Sequence, residues 1–159
     1  MREVKLKPIG VIHTPYKNKE GIPIQGGLHE DSKGTVEVFK EYSEGLLSLE
    51  GFSHIMTLYV FHKSSGYNLK QKPFLDDMEH GVFSIRSPRR PNPIGVTIVR
   101  LDRVEDNILH VSGVDMVDET PLLDIKPHVP EFDTPERARI GWLQGKIKGK
   151  HLSDSRFSR

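Results

Sequence analysis

Residues 86–95 read Arg86-Ser87-Pro88-Arg89-Arg90-Pro91-Asn92-Pro93-Ile94-Gly95. Each proline holds φ near −65° and lacks a backbone N–H to donate. Ser87, Arg90 and Asn92, each preceding a proline, are pushed towards extended geometry. A helix does not cross such a segment, and neither does a central strand. What is left is a stiff, extended arm, much of whose conformational freedom is already missing from the unfolded chain. It lies between two apolar runs, Val82–Ile85 and Ile94–Val99, both expected to be strands. Held at both ends, the arm presents Arg86, Arg89, Arg90 and Asn92 in fixed positions, as a site for an anionic or polar ligand requires. The alternative is a surface turn with solvated arginines.

The rest of the chain reads as short strands and turns. Val4–His13 is expected to be a first strand broken at Pro8, and Thr35-Val36-Glu37-Val38-Phe39 alternates like a half-buried strand. Ser43–Gly51 suits a short helix with Ser43 as N-cap and Gly51 as C-cap. His54–Phe61 is the most apolar run and should be central. Ile94–Val104 and Ile108–Val114 flank Asp106-Asn107 as a hairpin, and Leu122–Ile125 is a last short strand. Residues 17–34 and 63–80 are long polar connections, a kind that is often functional. Thr134 and Pro135 suit a helix start. Beyond Trp142 the chain carries Lys146, Lys148, Lys150, Arg156 and Arg159 against one acid, Asp154. The expected fold is mainly β: one small, mostly antiparallel β-barrel over 1–134, with short helices and a basic C-terminal extension over 135–159.

At 159 residues the chain suits one core, and its net charge of +1 says little about partners. No run of about 18 apolar residues predicts a membrane span, and the N-terminus does not read as a signal peptide. There is no cysteine, so no disulfide or thiolate metal site, and the histidines lack the spacing of a zinc helix. No metal is expected, and a cytoplasmic location is. Glycine-rich dinucleotide and phosphate-loop motifs are both missing. Taken alone, the residues stop at a small barrel with a rigid, arginine-rich arm that binds something polar or anionic.

Several blocks carry a resemblance. They are Ile9-Gly10-Val11-Ile12-His13-Thr14-Pro15-Tyr16-Lys17, Gly51-Phe52-Ser53-His54 through Val60-Phe61-His62, Gly81-Val82-Phe83-Ser84-Ile85 leading into the arm, the arm itself, and Asp118-Glu119-Thr120-Pro121-Leu122-Leu123-Asp124-Ile125-Lys126-Pro127. Their order and spacing over roughly residues 8–130 resemble the TrmO (TsaA-like) family, S-adenosylmethionine (SAM) dependent tRNA methyltransferases built on a β-barrel. Two positions depart: Glu119 stands where the family usually has Gly, and His128 where it has Tyr. Bacterial members carry a further C-terminal domain; whether or not the basic extension substitutes for it bears on the RNA substrate more than on the cofactor.

The resemblance implies SAM as cofactor, tRNA as substrate and a homodimer. It implies methylation of the exocyclic nitrogen of threonylcarbamoyl adenosine beside the anticodon. Alternatives are a SAM-binding barrel with another substrate, a non-enzymatic RNA-binding barrel, or a ligand-sensing or interaction module. Implied cofactor contacts are Gly26, Gly27, Leu28, His62, Lys63, Arg86, Val96, Ser112, Gly113, Val114 and Asp115. Arg86 is assigned to the methionine carboxylate, Val96 to an apolar wall and Asp115 to the ribose. Arg89 and Arg90 are assigned to RNA phosphate. Asn92, Asp118, Asp124 and Lys126 are the candidates nearest the chemistry. Each has a plainer reading: a strand-end pair for His62 and Lys63, core for Val96, a turn for Asp115, and a structural bridge for the Asp and Lys set.

Overall fold

The computed structural model describes residues 2–24 and 31–147. Its strands are β1 Gly10–His13, β2 Lys33–Val38, β3 His54–Val60, β4 Lys70–Gln71, β5 His80–Gly81, β6 Ile94–Glu105, β7 Ile108–Ser112 and β8 Thr120–Pro127. Six of them close an antiparallel barrel in the order β1-β2-β7-β6-β3-β8, while β4 and β5 form a separate two-stranded ribbon. Closure removes the unpaired strand edges that would otherwise invite aggregation.

β6 shows how the sequence makes the wall. Gly95, Thr97, Val99 and Leu101 are buried, and Ile94, Val96, Ile98 and Arg100 between them face out. That period of two is the pleat of a strand. Ile12, Val36, Ile55, Tyr59, Val99, Leu109, Val111 and Leu122 fill the interior. A barrel this small is a packed core, not a channel. Each such apolar side chain contributes about 1.5–3 kcal/mol by leaving water.

The expected strands and the β6–β7 hairpin are present, with several corrections. The first strand begins only at Gly10, because Pro8 ends the regular pairing. Val82–Ile85 is not a strand: residues 82–84 form a 3-10 turn, in which Ser84 Oγ donates to Gly81 O at 2.7 Å. Only Val82 prolongs the β4–β5 ribbon, its N–H donating to Leu69 O at 2.9 Å, before the chain turns. The 63–80 connection contains β4 and pairs it with β5. Ser43–Gly51 is not one helix but parts of two 3-10 segments, Lys40–Leu46 and Leu49–Gly51, separated at Ser48 with φ 71°. Ser43 is no N-cap, since its hydroxyl donates to Lys40 O at 2.8 Å.

The expected helix at Pro135 lies one proline earlier. It is a single turn, α1, Pro130–Asp133, with Asp133 Oδ2 accepting the Val129 N–H at 2.8 Å. Thr134 ends it instead of starting one, and Arg137 at φ 56° is incompatible with a helix from Pro135. Pro130 has Val129, a poor N-cap, before it, and Asp133 satisfies the Val129 N–H in place of a capping side chain.

Candidate functional site

Antiparallel pairing gathers widely separated residues at one end of the barrel. The register sets His13 opposite Thr35, Lys33 opposite Ser112, Val60 opposite Ile94 and Ile12 opposite Thr120. The ends of β1, β3 and β7 and the starts of β2, β6 and β8 therefore share one mouth. The proline arm and the 113–119 segment both lie at that end.

The arm is tied to its surroundings through backbone carbonyls. Arg90 Nη1 donates to Ile85 O at 3.0 Å and Ser87 O at 3.3 Å. Gln71 Nε2 donates to Arg89 O at 2.5 Å, and Ser64 Oγ to Pro88 O at 3.0 Å. Phe61 N–H reaches Pro93 O at 2.8 Å, fastening the arm to the end of β3. Arg90, expected to meet RNA phosphate, thus braces the arm. Arg89 differs: its Nε is buried with no hydrogen-bond partner among the described residues.

Under the arm lies a polar group inside the wall. The Tyr59 hydroxyl sits 2.9 Å from Thr97 Oγ1 and 3.4 Å from Asp115 Oδ1, and Thr97 Oγ1 donates to Asp115 Oδ1 at 2.6 Å. Burial first, then the Asp115 carboxylate, push the Tyr59 hydroxyl well above the usual phenol range, and Arg86 is near enough to oppose them. Thr97 and Tyr59 therefore orient Asp115, and Arg86 shares the same field. Gly95 makes room for this, because a Cβ there would lie 2.3 Å from Tyr59 Cε2.

Cations ring the mouth. Burial, then Arg89 and Lys63, push the Lys19 ammonium below its ordinary pKa. Crowded like charges of this kind are relieved by an incoming anion. Lys63 Nζ also donates to Lys17 O at 3.0 Å. Burial, then Lys63, likewise lower His62, while Glu119 opposes them.

Asp118 holds the rim. It accepts the Thr14 N–H at 2.9 Å and the Lys17 ammonium at 2.5 Å. The Lys17 bond, against some burial, keeps its carboxyl below the usual range. Glu119 beside it has φ 62°, a left-handed backbone that explains why glycine suits this position.

The other expected site residues are spread more widely. Asn92 is exposed near the arm's tip. Gly113 and Val114 both donate their N–H to Ser32 O, at 2.7 and 3.1 Å, so a ligand would have to address their carbonyls. The Ser112 hydroxyl is engaged on the barrel wall, donating to Asp102 Oδ2 at 2.5 Å. Val96 faces outward. Asp124 and Lys126 are not brought to the mouth. They pair with each other at 3.1 Å towards the far end of β8, opposite Leu58 and Met56. Gly26, Gly27 and Leu28 lie outside the described residues.

Sequence reasoning missed Lys17, Lys19, Tyr59 and Thr97. Tyr59 and Thr97 look like ordinary strand residues, and Lys19 is 70 positions from Arg89. A weak signal existed only for Lys17, the last residue of the opening block.

Comparison with known proteins bears on the fold and the family. The family model described as the tRNA-methyltransferase O N-terminal domain matches residues 11–134. A probable S-adenosyl-L-methionine-binding protein of Pyrococcus abyssi is 50% identical over 153 residues, covering 95% of this chain and 83% of its own. A tRNA (adenine(37)-N6)-methyltransferase of Escherichia coli is 37% identical, covering 91% of this chain and 66% of its own. A crystal structure of TrmO from Pseudomonas aeruginosa superimposes with a TM-score of 0.75 at 37% identity, covering 89% of this chain and 63% of that one. The chain spans all but a sixth of the archaeal relative, but about two thirds of the bacterial ones. By its barrel, its arm and this match over most of its length, the chain belongs to the TrmO family.

Proposed function

We propose that this chain is a SAM-dependent tRNA methyltransferase, acting on the exocyclic nitrogen of threonylcarbamoyl adenosine beside the anticodon. One observation carries the reading. Residues dispersed from Lys19 to Asp115 converge at one mouth as a complementary set: a cationic rim, an oriented carboxylate and the base of a rigid arm. Relatives of the SAM-binding and of the tRNA-methyltransferase description are 50% and 40% identical to this chain over 95% and 93% of its length.

The residues present fit the cofactor. Asp115 is an acceptor held in place by Thr97, suited to ribose hydroxyls. Apart from the cofactor, the buried Arg89 Nε, without a hydrogen-bond partner among the described residues and beside Lys19 and Lys63, favours an anion, here an RNA phosphate. Arg86 would hold the methionine carboxylate through charge-assisted bonds of roughly 1.5–3 kcal/mol. Bound SAM supplies a methyl group already activated as a sulfonium. What the chain adds is alignment, which is worth up to about 7–11 kcal/mol in favourable cases. The stiff arm carries Asn92 at its tip to orient the base. Asp118 fixes the rim through Thr14 and Lys17. An unpaired anticodon-loop base reaches such a mouth without opening a duplex. No strong acid–base dyad is required, so the Asp124–Lys126 pair on the wall needs no catalytic part.

The functional unit is a homodimer in this reading. Met56, Leu58 and Val60 of β3 stand beside Ile98, Val96 and Ile94 of β6, an apolar outer face. Ile94, Val96 and Ile98 are 43, 39 and 37% exposed. Pairing this face would put Val96 at the subunit contact. The protein would work in the cytoplasm with its tRNA; no helix among the described residues is long and apolar enough to cross a membrane.

Two measurements test the reading. Calorimetry with S-adenosylhomocysteine should show binding that Arg86→Ala removes. Nucleoside mass spectrometry of tRNA from a deletion strain should lack the methyl group on threonylcarbamoyl adenosine and regain it on complementation. Unchanged tRNA in the deletion strain would reject the substrate assignment.

A further inference from the structure

The chain enters the barrel through a segment that its own fold leaves uncovered. Residues 2–8 are all exposed and belong to no strand or helix. Val4 and Leu6 are 82% and 61% exposed. They alternate with Lys5 and Lys7, so an extended run has one apolar edge and one basic edge. Pairing begins at Ile9, whose N–H donates to Leu122 O and whose carbonyl accepts the Phe39 N–H, both at 2.8 Å. Pro8 fixes φ and holds Lys7 extended, so the run leaves the barrel in line with β1 instead of folding back. An apolar edge displayed on a stiffened, extended run marks a contact made elsewhere.

Ile9 also stands on the rim of an apolar groove of about 540 Å³. Tyr42, Leu47, Phe52 and Ile125 line it, and Leu47 is 86% exposed. Glu41 and Glu44 stand in the same wall, and no salt bridge among the described residues engages either. Such a groove suits apolar side chains flanked by cations, and the run offers Val4 and Leu6 beside Lys5 and Lys7. The run starts at the rim of its own groove and points away from it, so a second copy is the better match. β8, which supplies Ile125, lies beside β3 in the barrel, so the groove borders the apolar β3–β6 face. Residues 2–7 span about 20 Å when extended, enough to cross that face to a neighbour. We propose that the N-terminal run of each copy lies in the groove of the other, an exchange of arms that locks the dimer. This rests on the homodimer reading above. Two-fold symmetry makes the exchange reciprocal, so both grooves are filled at once.

The chain has no cysteine, so introduced thiols report only on themselves. Leu6→Cys and Leu47→Cys each replace an exposed side chain and leave the barrel interior alone. The two single variants are mixed, left to exchange subunits, oxidised gently and run on a denaturing gel. The mixture should give a band at twice the chain mass, far stronger than either variant gives by itself. Sedimentation equilibrium follows the same contact without a cross-link. Removing residues 2–7 should weaken the dimer about tenfold, and Glu41→Lys with Glu44→Lys should weaken it by a similar factor. Val96→Glu reports separately on the β3–β6 face.

A mixture that gives no cross-link would overturn the proposal. So would a double variant, Leu6→Cys with Leu47→Cys, that closes an internal bond at the mass of one chain, because the run would then fill its own groove. A deletion of residues 2–7 that dimerises as tightly as the full chain would also overturn it; if Val96→Glu separates the copies, the homodimer reading survives that result. If the deletion separates the copies and Val96→Glu does not, the exchange stands and the β3–β6 face falls. A full chain that stays monomeric at high concentration overturns both.

Discussion

Gly95→Ala would place a methyl carbon 2.3 Å from Tyr59 Cε2, 2.6 Å from Cζ and 2.8 Å from Phe61 Cζ. Neither ring can yield cheaply. Tyr59 is 3% exposed, meets Phe61 edge to face at 5.5 Å, and has its hydroxyl at Thr97 and Asp115. Overpacking of a filled interior costs about 1–3 kcal/mol. Moving the ring also breaks the hydrogen bonding of its hydroxyl, at about 1 kcal/mol for each bond lost. The expected loss is about 3–5 kcal/mol, or about 6–20 °C in melting temperature for a chain of this size. Urea unfolding of Gly95→Ala, Tyr59→Leu and the double variant measures it. Shortening Tyr59 removes two of the three clashes, so the double variant should be at least 1 kcal/mol more stable than additivity predicts. A loss below about 1 kcal/mol for Gly95→Ala, or strict additivity, would refute the claim that this glycine exists to seat Tyr59.

The same geometry sets other outcomes. Thr97→Val keeps the shape but removes the hydroxyl between Tyr59 and Asp115, and should cost about 1–3 kcal/mol in urea unfolding. Glu119→Gly should gain about 0.5–1 kcal/mol: relief of a left-handed backbone outweighs glycine's extra freedom in the unfolded chain. A lower melting temperature would count against that. Asp76 is held at about 2, chiefly by His80, and Asp118 below its ordinary 3.8, chiefly by Lys17. Depressed carboxyls stabilise the fold fully above their unfolded value and lose that effect as pH falls through the folded value. Stability should therefore drop from about pH 4 towards pH 2, and Asp76→Asn with Asp118→Asn should flatten the curve. Lys19→Gln should weaken tRNA binding and reduce its salt dependence by about one unit; an unchanged slope would remove Lys19 from the RNA surface.

Much of the barrel was legible in the residues themselves. β6 alternates buried and exposed side chains through eight positions, Ile94 to Leu101, and Asp106-Asn107 marks its turn, because pleat and hairpin are local physics. The three prolines likewise kept helix and strand out of the arm without reference to anything distant. The arm is bent at residues 85, 88 and 90–92 where an extended run was expected, with Arg90 N–H donating to Pro88 O and Ile94 N–H to Asn92 O. Val82–Ile85 misled for the same reason: a short apolar run carries strand propensity but cannot show whether a partner strand exists. Thr134-Pro135 misled because a local start signal does not show that the chain continues as a helix, and Arg137 turns to φ 56° two residues on.

The site divides in the same way. Arg86, Arg89 and Asn92 stand out within one segment. Lys19 against Arg89, Asp115 under Thr97, and Trp142 on His80 join residues 18 to 70 positions apart, and only closure of the barrel and return of the chain bring them together. Tertiary structure alone also sent Asp124 and Lys126 away from the mouth and turned Arg90 inward onto its own arm. Backbone stiffness and side-chain alternation act between near neighbours, so a linear reading finds them. Electrostatic crowding and shared hydrogen bonds act through space, and their partners are chosen by strand register.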